Sequence, residues 1–127
     1  MAALPADLRA VMKPMTIYTD NNGNSSNVAA NVTTSVDYLP LLSEFEIFGT
    51  RSYANEYEQN QQEQYQYYKN SNSKVKNKHN DTSTAAFWWE RSPYCGTAST
   101  FCYVGTNGNA GANTSRISFG LAPAFRV

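Results

Sequence analysis

From Ser92 to Gly120 the chain contains no Lys, Glu, Gln, Met or Trp, while the other residues hold 21 of those five types. What remains is Asn, Ser, Thr, Gly, Ala, Tyr, Cys, Phe, Ile, Val, Arg and Pro. A stretch of this kind folds most naturally as short strands joined by turns, where Lys, Glu and Met are scarce in any protein. The same palette suits a binding surface. Tyr supplies rigid amphipathic contact area, and Ser, Gly and Asn supply adaptable hydrogen bonds. A genetic reading stands beside these. The genetic code gives none of the five missing residues a codon ending in a pyrimidine. Codons varied at their first two positions over a fixed pyrimidine third could never encode them. Composition taken alone leans toward strands and turns.

Sharp landmarks bracket the segment. Trp88-Trp89-Glu90-Arg91-Ser92-Pro93 precedes it, Phe101-Cys102-x-Val104 and Gly108-x-Ala110 lie within it, and Gly120-x-x-Pro123-x-Phe125 closes it. These motifs resemble the "WWLRSP … FCxV … GxA … GVRPAF" signature of a bacterial and phage family. Through it the chain looks like the C-type-lectin-like variable proteins of diversity-generating retroelements, on the branch close to formylglycine-generating enzymes. The resemblance runs from about Leu4 to Val127, and its specific motifs begin at Trp88. It implies fixed framework residues with rewritten positions between them. The framework is Trp88, Trp89, Arg91, Ser92, Pro93, Phe101, Cys102, Val104, Gly108, Ala110, Gly120, Pro123 and Phe125. The exchangeable positions are Tyr94 to Thr100, Tyr103, Gly105 to Asn107, Asn109, Gly111 to Asn113, Arg116, Ile117 and Phe119. Two departures stand out. Glu90 replaces the family's Leu, and Leu121-Ala122 replaces Val-Arg, removing a framework hydrogen-bonding group.

Bulk properties exclude several classes. The 127 residues suit one domain, with ten basic and ten acidic side chains in balance. No basic stripe points to nucleic acid, and the dense Lys74-Val75-Lys76-Asn77-Lys78-His79 cluster reads as a solvated hairpin or loop. No apolar run approaches the roughly 20 residues needed to cross a bilayer, so no membrane insertion is expected. Met1-Ala2-Ala3-Leu4-Pro5 lacks the build of a secretory leader. Asn is abundant, and the sequons at Asn24, Asn31, Asn80 and Asn113 carry no weight in so Asn/Ser/Thr-rich a chain.

Along the chain, Leu4 to Lys13 predicts an amphipathic helix with Leu4, Leu8, Val11 and Met12 on one face, ended by Pro14. Asn21 to Ser26 predicts a turn, with Ile17-Tyr18-Thr19 pairing Val28 to Val32. Tyr38 to Leu42 reads as a buried strand. Ser43-Glu44-Phe45-Glu46 fits a capping box that opens a short helix ending at Gly49. The longest helix is expected over Tyr53 to Lys69, with Tyr53, Tyr57, Tyr65 and Tyr68 along a half-buried stripe. Lys74 to Lys78, Thr84 to Trp89, Phe101 to Val104 and Ser118 to Val127 read as strands. Asn107-Gly108 predicts a hairpin turn with both residues at positive φ.

Catalytic chemistry is thinly represented. His79 is the one histidine and sits in a Lys-flanked polar loop. No zinc spacing and no calcium loop is legible, so neither metal nor cofactor is expected. Glu44, Glu46, Glu56, Glu58 and Glu63 fall in helical segments, where carboxylates are usually at the surface. Cys95 and Cys102 admit a disulfide, a buried framework Cys102 beside an incidental Cys95, or a copper-binding pair as in formylglycine-generating enzymes. The second is preferred. Arg91 is expected to satisfy loop carbonyls or to stack on Trp.

The reading is an α+β, C-type-lectin-like fold over residues 1–127, a small antiparallel sheet with two helices and much irregular loop. It starts mid-fold, as the C-terminal part of a longer protein or a minimal version of one. Its variable segment, about 94–119, binds without turnover. The expected ligand-binding residues are Tyr94, Tyr103, Thr106, Asn107, Asn109, Asn113, Arg116, Ile117 and Phe119. Aromatics and Arg act as anchors among them, since these dominate hot spots. Trp88, Trp89, Phe101 and Phe125 are expected in the core. The partner is a protein or cell-surface ligand in an extracellular, cell-surface or virion-associated setting, with homo-oligomerisation or fusion to a longer protein left open. Two alternatives stand: an assembly domain of a phage tail or surface protein, and, more remotely, a copper-dependent oxidase relative.

Overall fold

A computed structural model describes residues 4–21 and 26–127. Among these the helices are α1 (Ala6–Val11), α2 (Glu44–Phe48) and α3 (Gln66–Lys69), with 3-10 turns at Ala29–Asn31 and Glu56–Gln61. The strands are β1 (Met15–Asp20), β2 (Val32–Asp37), β3 (Lys76–Lys78), β4 (Asp81–Ala86), β5 (Trp88–Pro93), β6 (Thr100–Val104), β7 (Ala110–Thr114) and β8 (Gly120–Leu121). The architecture is therefore α+β with small sheets. Ribbons β1-β2 and β3-β4 flank a four-stranded sheet in the order β7-β6-β5-β8.

That sheet is not wholly antiparallel as expected. β8 joins β5 in parallel, with Trp88 opposite Gly120 and Trp89 opposite Leu121. The strand foreseen over Ser118 to Val127 shrinks to two residues, because the chain then leaves the sheet. Ala124 N–H donates to the Pro40 carbonyl (2.8 Å), and Lys13 bridges Arg126. The extended chain alternates here. Ala122 and Ala124 pack on the core of Leu42, Ile47, Tyr68, Trp88 and Val104, while Pro123 and Phe125 face outward.

Local signals hold where the chemistry is short-range. The Ser43 hydroxyl caps α2 by accepting from the Glu46 amide (3.2 Å). The reciprocal half of the box is missing, since Glu46 is drawn to Arg91 instead. Gly49 ends the helix in the left-handed region at φ 74°. A Cβ at Gly49 would lie 2.6 Å from Gln64 Oε1. Gly49→Ala is expected to lower stability by more than about 1 kcal/mol, read as a drop in the urea midpoint.

Other expectations are corrected. Residues 53–69 form no continuous helix. Their polar side chains serve other elements instead: Gln62 Nε2 donates to the Tyr18 carbonyl (2.7 Å), Gln64 Nε2 to Ile47 (3.0 Å) and Asn55 Nδ2 to Val28 (3.0 Å). These tertiary bonds outweigh the modest helix propensity of a Tyr- and Asn-rich run. Tyr38 to Leu42 is not a strand but a lead-in whose Leu42 is buried. The first hairpin pairs Ile17 with Ser35, further along than expected. The foreseen Asn21 to Ser26 turn falls mostly on residues 22–25, outside the described residues. Helix α1 is shorter than foreseen and leaves Val11 exposed. The strand over Thr84 to Trp89 is split at Phe87 between two sheets.

Candidate functional site

Strand β6 alternates strictly. Thr100, Cys102 and Val104 point inward, while Phe101 and Tyr103 point outward. On β5 the inward residues are Trp88 and Glu90, and Trp89 is outward and half-buried. Cross-strand register carries the pattern on, placing Tyr103 opposite Gly111 and Phe101 opposite Asn113. Gly111 lies under the Tyr103 ring. A Cβ there would meet Tyr103 Cζ at 2.4 Å, so the bare backbone at Gly111 lets the ring lie flat on the sheet.

The outer face carries three rings around Phe119. Phe119 stacks on Phe87 (4.8 Å between centroids, 17° between planes) and contacts Trp89 (4.6 Å) and Tyr103 (5.1 Å). Tyr103 is edge-on to both Phe87 (5.5 Å) and Trp89 (6.4 Å). Centroid separations of 4.5–7 Å are those that aromatic pairs favour. Beside the rings a cavity of 310 Å³ is lined by Phe87, Tyr103, Thr106, Asn107 and Asn109. Its wall is the β6–β7 turn, where Gly108 alone takes a positive φ (84°) and Asn107 does not, contrary to expectation. The turn is closed by Gly105 and Asn109 (2.8 Å), and Asn107 Oδ1 accepts from the Asn109 amide (3.1 Å).

The structure thus gathers Tyr103, Thr106, Asn107, Asn109 and Phe119. Asn113 shares the face, but its Oδ1 accepts from the Thr114 amide (2.7 Å). Tyr94 lies apart, edge-on to Tyr53 (5.6 Å). Arg116 and Ile117 are exposed in the connection after β7 and make no contact within the ring cluster. Three framework residues expected in the core are not there. Phe101 and Phe125 are exposed, and Trp89 belongs to the ring cluster. The cause is alternation: with Cys102 and Trp88 fully inward, their chain neighbours must face out. Phe87, within the strand expected over Thr84 to Trp89, is exposed on the outer face for the same reason.

The inner face holds buried charge. Glu44, Glu46 and Glu58 are buried, not at the surface as carboxylates in helical segments usually are, and Glu90 on β5 is buried with them. Arg91 satisfies a loop carbonyl as expected, donating to Leu41 (2.6 Å), and also a β1 carbonyl at Tyr18 (3.3 Å), with no stacking on Trp. It also pairs with Glu46 at 2.6 Å. Glu58 accepts from the Ser92 hydroxyl (2.6 Å) and the Asp20 amide (2.7 Å). Burial outweighs these bonds and pushes its carboxyl up to about 7. Cys95 and Cys102 are free thiols, and Cys102 is fully buried as the framework reading requires. His79 is exposed in the β3–β4 turn.

A family model described as a domain of unknown function, DUF6273, matches residues 1–127. No curated protein and no solved structure matches the chain. No helix among the described residues is long and apolar enough to cross a membrane.

Proposed function

The chain belongs to the DUF6273 family, and from its geometry we propose that the outer face of its four-stranded sheet is a ligand-recognition surface of a C-type-lectin-like variable protein. One observation carries the reading. Tyr103, Thr106, Asn107, Asn109 and Phe119 come from the segment that lacks all five residues without pyrimidine-ending codons, and they cluster on one face. Beneath them Trp88, Cys102 and Val104 are almost fully buried, which suits a constant layer under exchangeable positions. The ligand is a protein or cell-surface group, bound without turnover. Half-exposed aromatics beside polar turn residues suit it, because rigid rings anchor interfaces and short polar side chains adapt.

The test is a display library. Pyrimidine-ending codons are placed at Tyr103, Thr106, Asn107, Asn109 and Phe119, and a second library varies Trp88, Cys102 and Val104. Most members of the first library are expected to stay within about 1 kcal/mol of the parent. Truncations in the second should lose about 2–5 kcal/mol. Panning the first library on purified bacterial surface proteins should yield binders that lose binding when their selected residue at position 119 is replaced by Ala. Equal loss of folding in both libraries would sink the reading.

A second reading, an assembly domain of a larger particle, is favoured by the large apolar side chains of Phe101, Leu121 and Phe125 lying exposed. It predicts self-association in sedimentation that Leu121→Asp abolishes.

A further inference from the structure

Under the sheet, three donors from distant parts of the chain converge. Glu44 opens α2, Glu90 lies on β5 and Cys102 on β6, and one ligand atom of each lies within 4.8 Å of the other two. They are shut off from solvent, with exposures of 0%, 2% and 0%. Glu44 is held in place by the amides of Ser52, Tyr53 (3.0 Å) and Ala54 (2.9 Å). Cys102 Sγ faces Glu44 Oε2 at 3.5 Å and the Pro93 carbonyl at 3.7 Å.

Glu90 is the anomaly. Neither of its carboxyl oxygens has a hydrogen-bond partner among the described residues. A buried carboxylate left unpaired is costly, and a neutral carboxyl still forfeits its hydrogen bonds. Buried polar groups without partners are rare, and an unplaced ion is one of the few accounts of them. The chain could have placed an apolar residue here, yet the position carries an acid aimed at another acid and a thiol.

We propose that Glu44, Glu90 and Cys102 form a closed structural site for one divalent cation of the zinc class, with the Pro93 carbonyl as an available fourth donor. The mixed donor set selects the metal. Zinc accepts thiolate and carboxylate together, while calcium and magnesium take oxygen alone. Binding involves no redox change. The cation displaces to solvent the thiol proton of Cys102 and the proton of the Glu90 carboxyl, and its two charges replace theirs. In the metal-free chain burial and the neighbouring Glu44 and Glu58 charges push the Glu90 carboxyl well up, and burial pushes the Cys102 thiol up, so protons are the rival occupants. With no exposed ligand, the ion enters during folding. The site would tie α2 to β5 and β6 directly under the outer face, and it stands or falls independently of the recognition reading.

The experiment refolds the full chain from denaturant with Zn²⁺, with Co²⁺ or with chelator alone, then desalts it. One Co²⁺ per chain, a thiolate-to-cobalt charge-transfer absorption and a higher melting temperature with Zn²⁺ than with chelator are expected. Glu90→Gln should lose the bound metal. Glu90→Leu should also lose it while remaining folded, because the apolar side chain removes the unpaired acid. Several results would overturn the site: no metal retained by the parent chain, Co²⁺ bound without thiolate absorption, or full metal retention in Glu90→Leu.

Discussion

Arg91→Met is expected to cost about 3–5 kcal/mol of folding stability, the range for breaking a buried ion pair from one side. The side chains of Arg91 and Glu46 are 8% and 7% exposed. Removing the guanidinium leaves the Glu46 carboxylate buried without its counter-charge. It also strands the Leu41 carbonyl and the Thr19 hydroxyl, which Arg91 Nε reaches at 2.9 Å, while the Tyr18 carbonyl keeps its bond from Gln62. One side chain therefore joins β1, the lead-in to α2, α2 itself and β5. Arg91→Lys should recover little, because a point ammonium cannot reproduce a planar fork serving several acceptors. The double variant Arg91→Met, Glu46→Leu should return most of the loss, since apolar replacements of a whole buried pair are often tolerated. Urea midpoints of the three variants decide. A loss under about 1 kcal/mol in Arg91→Met would place the pair among surface-like bridges.

Stability is expected to fall as pH rises through the window set by Glu58. Its carboxyl stands at about 7 in the folded chain against 4.5 ordinarily, chiefly because burial penalises the charge. The folded state thus keeps a proton that the unfolded chain releases. This contribution is fully present below pH 4.5, shrinks as pH rises and is gone above about 7, a change of about 3 kcal/mol. Asp20 adds repulsion, while Arg91 and the bonds from Ser92 and Asp20 N–H oppose the shift without reversing it. Glu58→Gln cannot titrate. Relative to it, the parent should lose about 3 kcal/mol between pH 4.5 and 8. Urea melts in chelator at both ends of the range measure this. A constant difference between parent and variant across the range would remove Glu58 as the cause.

What could be read from sequence follows the reach of each force. Ser43, Gly49 and the turn before Ala110 act within a few residues, and the structure bears out the helix start, the helix stop and the hairpin. Arg91 was legible as a satisfier of carbonyls because a guanidinium beside Pro93 in a strand has few other uses. Phe101 and Phe125 lie outside the expected core because alternation along the extended chain, and not aromatic character, decides which side faces in. Cys102, one position on, already answered that for β6. The residues 53–69 failed for a different reason. Their side chains bond to β1, to Val28 and to α2, and such bonds have no local signature. The same holds for Glu44, Glu58 and Glu90, whose meeting depends on α2, the 3-10 turn and β5 folding together. Spacing rules for metal ligands cannot detect donors 46 and 12 residues apart, as Glu44, Glu90 and Cys102 are. The parallel pairing of β8 with β5 was equally hidden, since a two-residue strand carries no periodicity.

The decisive measurement is the DNA sequence around the coding region, read for a near-copy of the segment encoding Tyr94 to Phe119. A recognition surface built by diversification predicts a near-repeat beside a reverse-transcriptase gene, with mismatches only at template adenines. Those mismatches should fall on the codons for Tyr103, Thr106, Asn107, Asn109 and Phe119 and spare those for Cys102 and Val104. The absence of any repeat, with codons ending in purines as often there as elsewhere, would contradict it and leave the outer rings as a fixed contact of an assembled particle.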